Sequence, residues 1–357
     1  MKKALSLVAM MILFAFLLAG CGGQKQTQTA APGAGGQQPA KSEVITLKMS
    51  DYFPVTHLFS TDCAKFFIDK VHEYTKGKVK IEYFPAEQLG KLKDQLNLTS
   101  QGVIDIGIAP ASFIAGQLPL NTVIVLPEWT TATQGSAIYD KLVKGVLMPE
   151  FEKYGVRPVF CYTTPQYDVG TVKKPVTKPE DLKGMKLKTS GGLYDKIAQK
   201  YGVTPVVVPS PEIYESTQRG IVEGNFLSYV SVKGYRVDEL EKYHTLGGSF
   251  GGFPELYVVN EKKWQSLPKD VQDAILKAGE EACKHAGEAI DKDQERLAKE
   301  FEQKGMKIYR ITPEEKKKWM EPLKGIEQEW INDMEGKGLP GKKVYEEFHK
   351  LCQEIVK

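Results

Sequence analysis

The feature that most restricts the fold is a run of 37 residues, from Pro268 to Lys304, without an internal proline. Apolar residues recur along it at helical spacing: Val271, Ile275, Ala278, Ala282, Ala286, Ile290, Leu297 and Phe301. At 1.5 Å per residue the run predicts about 55 Å of helix, where roughly 12 residues is the norm. Its small alanine face and the lack of sustained leucine heptads disfavour a coiled coil. We therefore expect one helix long enough to join two lobes.

In the first half of the segment that precedes this helix, strand patterns alternate with helix patterns. Period-two alternation and short apolar runs predict strands at 45–50, 78–84 and 103–109. Helical spacing predicts helices at 60–75 and 91–101, the second closed by Gly102, which suits the residue past a helix end. Strands that alternate with helices indicate an α/β protein with a largely parallel sheet.

The same alternation begins again near residue 159. Strands are predicted at 185–189 and 203–208, with a helix at 193–201 between them. Ser210 followed by Pro211 is typical of a helix start, because serine caps the helix and proline suits its first position. Two α/β units of this size predict two lobes with a cleft between them.

The charge of the chain excludes one class of partner. Forty-eight basic residues against 45 acidic ones give a net charge of +3. Lys2 and Lys3 contribute two of those charges, so the rest of the chain is nearly neutral. Nucleic-acid binding usually needs a clustered basic face, and we expect no nucleic-acid partner.

The N-terminus has the pattern of an export signal that ends in a lipid attachment site. Lys2 and Lys3 precede an uncharged run from Ala4 to Ala19, which is short for a spanning helix. The following residues up to Cys21 resemble the lipobox of bacterial lipoproteins, in which the cysteine thiol receives a diacylglyceryl group. Residues 1–21 are therefore predicted to be a lipoprotein signal peptide, and Cys21 is predicted to anchor the chain on the outer side of the cytoplasmic membrane.

Residues 22–42 are rich in Gly, Gln, Ala and Pro and show no apolar periodicity, which predicts a flexible linker. The four cysteines that follow are at least 69 residues apart and form neither a metal motif nor a CxxC pair: Cys63, Cys161, Cys283 and Cys352. We expect these four thiols to be buried and unpaired.

Several segments together resemble one family of transport proteins. The segments are Pro85–Gly90 (PAEQLG), Gln101–Asp105 (QGVID), Asp181–Lys188 (DLKGMKLK), Gly202–Pro205 (GVTP), Glu212–Tyr214 (EIY), Gln218–Gly224 (QRGIVEG), Glu241–Tyr243 (EKY), Asn260 and Trp264–Pro268 (WQSLP). Over about residues 45–335 the chain is similar to the DctP-like solute-binding proteins of tripartite ATP-independent periplasmic (TRAP) transporters. The family's interlobe helix matches the helix inferred from the 37-residue run.

The resemblance implies a two-lobed periplasmic-binding-protein-like α/β fold. Lobe I is expected to comprise 43–165 and about 254–290, and lobe II 166–253 and about 291–335. The helix at 268–304 would be shared by both lobes, and 336–357 would form a C-terminal helical segment. The implied function is capture of a small organic acid in the interlobe cleft and its delivery to the small and large membrane subunits of a TRAP permease, without enzymatic activity and without a cofactor.

One family position carries the strongest prediction about the ligand. Where the family usually has an arginine that grips the ligand carboxylate, this chain has Lys188, which lacks the planar two-point geometry. Ser190 and Gly191 follow directly and precede a helix start, where backbone N–H groups favour an anion. We expect Lys188 to contact an acidic group, in a pocket that is more aromatic than in a C4-dicarboxylate binder.

The other predicted ligand contacts follow strand ends, because ligands of open α/β sheets bind outside the carboxyl ends of strands. The aromatic candidates are Tyr52, Phe53, Trp129, Tyr167, Phe226 and Tyr229, and the polar ones are Ser112, Gln166 and Asn225. With Phe226 and the family arginine that Lys188 replaces, they favour an aromatic or otherwise apolar-bodied acid.

Two alternatives to a TRAP receptor stay open at this point. The first is the receptor of an ATP-driven importer, which is also two-lobed but does not require the long helix. The second is a serine hydrolase, because Gly247–Gly251 matches the pattern GxSxG around Ser249. That motif needs a helix to begin at the serine, and here an apolar strand pattern follows instead. The five histidines show no zinc-enzyme spacing, so no metal is predicted.

Overall fold

The computed structural model describes residues 44–356. The predictions for the leader, for Cys21 and for the linker at 22–42 lie outside this range. The described strands are β1 (Ile45–Ser50), β2 (Val79–Phe84), β3 (Ile106–Ile108), β4 (Val156–Gln166), β5 (Asp168–Thr171), β6 (Lys186–Thr189), β7 (Thr204–Val207), β8 (Gly224–Leu227), β9 (Tyr243–Leu246), β10 (Gly252–Asn260) and β11 (Lys307–Arg310).

The helices cover both faces of the sheets and follow the strands in the expected alternation. They are α1 (Lys65–Tyr74), α2 (Gln95–Ser100), α3 (Ala132–Lys144), α4 (Met148–Glu152), α5 (Leu193–Lys200), α6 (Ile213–Gln218), α7 (Tyr229–Gly234), α8 (Glu261–Ser266), α9 (Lys269–Gln303), α10 (Pro313–Met320), α11 (Ile326–Gly336) and α12 (Gly341–Ile355). Among residues 44–356, none of these helices combines the length and the apolarity that crossing a bilayer requires.

The strands form two sheets, which define two lobes and confirm the α/β fold class. Lobe I has the strand order β2-β1-β3-β10-β4, and lobe II has β11-β9-β5-β8-β6-β7. The expectation of a largely parallel sheet is confirmed for every strand but one in each sheet. In lobe I β10 runs antiparallel to both neighbours, and in lobe II β5 does the same. Each of these two strands comes directly after the chain has passed from one lobe to the other. It therefore joins its sheet without a crossover helix before it.

Two of the passages between the lobes, from β4 to β5 and from β9 to β10, lie side by side and bond to each other. The chain leaves lobe I between β4 and β5, at Tyr167, and returns between β9 and β10. The Tyr167 N–H donates to the Gly251 carbonyl at 3.0 Å, and the Phe250 N–H donates to the Tyr167 carbonyl at 3.0 Å. The Gly251 N–H donates to Gln166 Oε1, also at 3.0 Å. This paired crossing sets where the two lobes meet.

Helix α9 is the predicted long helix, and it packs on elements of both lobes: α1, α3 and β4 on one side, and α7 and β11 on the other. Its glycines permit a very close approach. A Cβ on Gly279 would lie 1.7 Å from the Val159 carbonyl oxygen, and one on Gly287 would lie 2.8 Å from Thr133 Cα. Asp291 of α9 also accepts the first N–H groups of α3, from Ala132 at 2.7 Å and Thr133 at 2.9 Å.

Local details of lobe I depart from the sequence prediction. The helix predicted from residue 60 starts as a π-helical turn, Phe59–Ala64, before α1. The strand predicted at 103–109 is only Ile106–Ile108, since the Asp105 carboxylate accepts the Lys48 N–H at 2.8 Å before the strand starts. The four cysteines of the described chain are buried and unpaired, as predicted.

Candidate functional site

The first part of the site is the end of β1, where Asp51 holds the backbone in place. Its buried carboxylate accepts hydroxyl groups from Tyr83 and Tyr257, each at 2.6 Å, and the Phe53 N–H at 3.1 Å. Burial raises the pKa of Asp51 to about 6 in spite of these bonds. These contacts set the direction of the intervening residue, Tyr52, which is 2% exposed and whose ring lies 4.2 Å from that of Phe53.

Glu255, on β10, is the centre of the lobe I side. Its Oε1 accepts the Tyr52 hydroxyl at 2.5 Å, and the residue is 2% exposed. Burial raises the pKa of this carboxyl well above its usual range. In its ionised form it raises the hydroxyl pKa of tyrosines from both lobes, among them Tyr52, Tyr162, Tyr167, Tyr194 and Tyr235. Glu255 therefore lies near aromatic side chains of both lobes.

Lys188 faces Glu255 from the end of β6 in lobe II. The side chain is fully buried, and its Nζ donates to Ser190 Oγ at 3.1 Å. Gly191, with φ +86°, then turns the chain so that helix α5 can begin at Leu193. Burial lowers the pKa of Lys188 to about 7, while the charge of Glu255 raises it. An ammonium has three N–H donors, so two of them are free for an anion.

Aromatic rings form the wall between these two charged groups. Lys188 Nζ lies 5.5 Å from the ring centre of Phe113, whose own ring is 5.6 Å from that of Phe253. Phe253 in turn lies 6.0 Å from Tyr167 and 5.9 Å from Tyr194. Phe113 and Phe253 come from lobe I, whereas the other residues come from lobe II and from the crossing, so the wall is built by both lobes.

The lobes are closed over this site. The Tyr194 hydroxyl of lobe II donates to the Gly252 carbonyl of lobe I at 2.6 Å. The His57 ring of lobe I lies 5.0 Å from the Tyr235 ring, and burial lowers the pKa of His57 to about 3. These contacts exclude water from Lys188 and strengthen electrostatic interactions there.

Three buried polar atoms of the cleft have no hydrogen-bond partner among the described residues: Ser112 Oγ, Tyr162 OH and Glu255 Oε2. They are three of the eleven such side-chain atoms in the described chain, and a bound polar group could satisfy them. We call the side chains gathered here the cleft cluster: Tyr52, Ser112, Phe113, Tyr162, Tyr167, Lys188, Ser190, Tyr194, Phe253 and Glu255.

The cleft cluster includes five of the residues predicted from the sequence: Tyr52, Ser112, Tyr167, Lys188 and Ser190. Three others lie at its edge. Phe53 packs on Tyr52, Gly191 forms the turn after Ser190, and Gln166 belongs to the crossing, where it also donates to the Leu126 carbonyl at 3.3 Å.

Four predicted contacts lie outside the cleft cluster because their side chains are engaged within one lobe. Trp129 donates to the Ile124 carbonyl at 3.0 Å. Asn225 donates to Glu241 Oε1 at 2.5 Å. The Phe226 ring is 4.4 Å from Phe250, and the Tyr229 ring is 4.4 Å from His244.

Sequence reasoning missed five members of the cleft cluster: Phe113, Tyr162, Tyr194, Phe253 and Glu255. Glu255 carried a usable signal, because it is an acidic residue in an otherwise apolar strand, Gly252–Asn260. Tyr194 lies in the first turn after the predicted anion-binding turn, and Phe113 adjoins a predicted residue.

The surroundings of Ser249 contradict the hydrolase alternative. The residue lies between β9 and β10, so a strand follows it and not the helix that a nucleophile elbow requires. Its φ is +60°, and Lys316 Nζ donates to its Oγ at 2.5 Å beside a cavity of about 310 Å³. Lys316 also donates to the Gly247 carbonyl. These bonds tie α10 to the crossing.

One group of potential metal ligands occurs in the described chain, between α3, β4 and α9. One ligand atom each of Asp140, Cys161 and Cys283 lies within 4.8 Å of the others. Burial raises the pKa of the Cys161 thiol well above its usual range, and Asp140 pairs with Lys144 at 2.7 Å. A neutral thiol and a carboxylate that already has a cation beside it are poor ligands for a second cation.

Comparison with known proteins gives matches over most of the chain. The family model of the bacterial extracellular solute-binding proteins, family 7 (DctP), matches residues 49–333. A solute-binding protein of Albidiferax ferrireducens is 27% identical over 289 residues, which cover 79% of this chain and 85% of that protein.

Two solved structures share the fold. One is a TRAP solute-binding protein from Rhodoferax ferrireducens T118 in complex with copurified benzoate; it has a TM-score of 0.82 at 22% identity and covers 88% of this chain and 99% of its own. The other, from a marine metagenome, is a TRAP solute-binding protein specific for aromatic acid ligands, in complex with 3-hydroxybenzoate. Its TM-score is 0.82 at 24% identity, with 88% and 100% of the two chains covered.

Proposed function

The chain belongs to the DctP family of bacterial extracellular solute-binding proteins, and on that premise we propose that it captures a small aromatic carboxylate in the closed cleft between its lobes and delivers it to a TRAP permease. The observation that carries the proposal is the environment of Lys188. This lysine is fully buried, has one neutral hydrogen-bond partner and lies 5.5 Å from the ring centre of Phe113.

A carboxylate is the group that this lysine lacks. Burial disfavours the ammonium, and a carboxylate within hydrogen-bond distance would restore its charged form. A charge-assisted bond of this kind contributes about 1.5–3 kcal/mol. Because Lys188 belongs to lobe II and the facing ring of Phe113 to lobe I, a solute held here contacts both lobes and favours their closure.

The rest of the site matches the body of an aromatic acid. Phe113, Phe253, Tyr167 and Tyr194 present ring surfaces, and aromatic pairs add about 0.5–1.5 kcal/mol beyond the area that they bury. The benzoate and 3-hydroxybenzoate bound by the two structural neighbours support the same class of solute.

The remaining roles follow from the family and from the N-terminus. The family match supports a TRAP receptor over the receptor of an ATP-driven importer. The partners are then the small and large membrane subunits of the permease. Cys21 carries the lipid and holds the protein on the outer side of the cytoplasmic membrane, and residues 22–42 give it reach.

A thermal-shift screen of the purified protein against small organic acids tests the proposal. At 100 times its dissociation constant, a ligand should stabilise the protein by about 2.7 kcal/mol. For a body of this size that corresponds to a rise in Tm of about 4 °C. Aromatic monocarboxylates should give the largest shifts, while sugar acids and C4-dicarboxylates should give less. Shifts with these polar acids and none with aromatic ones would refute the proposal.

A further inference from the structure

The cleft cluster contains more polar groups than a single carboxylate can satisfy. Lys188 accounts for one anionic group. Glu255 Oε2 and Tyr162 OH are buried and have no partner among the described residues. Each unsatisfied buried group costs about 1–3 kcal/mol, so an unpaired couple is improbable unless something binds it.

Glu255 and Tyr162 are neighbours on one sheet. They lie directly opposite each other in the antiparallel pair of β10 and β4, and such residues point to the same face. Tyr52 occupies the other carboxyl oxygen of Glu255, Oε1, at 2.5 Å. Oε2 is therefore the unpartnered oxygen of Glu255, and the residue opposite on β4, Tyr162, carries a hydroxyl that also has no partner among the described residues.

Lys188 does not satisfy Glu255. Their charges influence each other, but the hydrogen bonds of these two side chains go to Tyr52 and to Ser190 and not to each other. The cleft thus offers two separate polar positions, one at Lys188 and one at the Glu255–Tyr162 pair.

We propose that Glu255 and Tyr162 form a second polar subsite of the cleft, which binds a hydroxyl group on the ring of the solute, so that the preferred solutes are hydroxylated aromatic monocarboxylates. This inference rests on the proposed function and narrows its ligand class. A hydroxyl both donates and accepts, so one such group can bond to Glu255 Oε2 and to the Tyr162 hydroxyl together.

Other substituents fit this subsite less well. Burial raises the pKa of the Glu255 carboxyl, which disfavours the carboxylate form that an ammonium would pair with. A second carboxylate would be buried away from Lys188 without a cation. A methyl or halogen would leave both polar atoms unsatisfied.

Isothermal titration calorimetry with paired acids tests the inference. Benzoate is compared with 3- and 4-hydroxybenzoate, and phenylacetate with its hydroxy derivatives, on the wild-type protein and on the Glu255→Gln and Tyr162→Phe variants. The best hydroxylated acid of each set should bind wild type about tenfold or more tightly than its parent acid. Each variant should reduce that ratio toward one. Tyr162→Phe removes only an unpartnered hydroxyl, so it should fold as wild type does.

Phe59→Leu is the matched control, because Phe59 packs 5.1 Å from the Tyr162 ring but offers no polar group. It should leave the hydroxyl preference intact. Equal affinities for parent and hydroxylated acids in wild type, or a preference that survives in both variants, would overturn the subsite while leaving the proposed function in place. A stronger preference for amino-substituted acids would overturn the hydroxyl assignment. If wild type bound no aromatic acid of either kind, both proposals would fail.

Discussion

Replacement of Lys188 by methionine should stabilise the empty protein and abolish high-affinity binding. Burial lowers the pKa of Lys188 from 10.5 to about 7, so the folded chain at pH 7 carries a penalty of about 4 kcal/mol relative to the unfolded chain. The penalty is complete below pH 7 and disappears as the pH rises toward 10.5, because the folded-state pKa is the lower of the two. Methionine fills a similar volume without a charge.

The expected stability gain is smaller than this penalty. The variant loses the bond from Lys188 to Ser190 Oγ, which offsets about 1 kcal/mol. A net gain of about 3 kcal/mol should raise Tm by about 4–5 °C in a body of this size. At the same time the affinity for an aromatic carboxylate should fall about 10- to 150-fold, since a charge-assisted bond of about 1.5–3 kcal/mol is removed.

Differential scanning fluorimetry and calorimetric titration measure the two effects on the same samples. Lys186→Met is the matched control, because Lys186 lies on the same strand but is exposed, and it should change neither quantity. A Lys188→Met protein that is less stable than wild type and still binds its acid tightly would refute the reasoning, since Lys188 would then be a structural residue and not an anion anchor.

Three other changes have expected outcomes. The affinity for the acid should weaken by up to tenfold per pH unit above pH 7, because Lys188 must gain a proton on binding. Calorimetric titration from pH 6 to 9 should show this loss of affinity in the wild-type protein. A Lys188→Arg variant that binds the acid should show the same affinity over this pH range. Gly279→Ala should destabilise the protein by about 1–3 kcal/mol in urea unfolding, since its Cβ would meet the Val159 carbonyl, whereas Gly336→Ala, with open space around it, should not. Cys21→Ala should move the protein from the detergent phase to the aqueous phase in Triton X-114 partitioning, and retention in the detergent phase would contradict a lipid anchor at that residue.

The long helix and the lobe architecture could be predicted because their signals are local. A proline-free run with apolar residues at helical spacing can form little else, and α9 (Lys269–Gln303) matches it to within one residue at each end. The direction of the two antiparallel strands has no comparable local pattern in the sequence. The antiparallel β5 and β10 arise where the chain passes between lobes, and nothing within either strand records which sheet it joins.

A site residue could be predicted only where a family motif and a side chain of suitable chemistry occur at the same place in the sequence. Lys188 follows a family motif and precedes a glycine turn, so its place in the cleft could be inferred. The aromatic residues of the cleft could not be distinguished from those of the core in the same way. Which of the two places a residue occupies depends on the face of the sheet to which its side chain points. Phe226 packs on Phe250 inside lobe II, whereas Phe253 faces the cleft, although both lie in apolar strands. Glu255 was missed although it interrupts the apolar residues of β10, because an acidic residue in a strand does not by itself show that its side chain faces a cleft.

The crystal structure of the complex with an aromatic monocarboxylate would test the central claim most directly. The account predicts that the acid lies between the lobes, with a carboxylate oxygen about 2.7–2.9 Å from Lys188 Nζ and its ring against Phe113 and Phe253. An acid bound outside the cleft, or one whose carboxylate points away from Lys188, would contradict it.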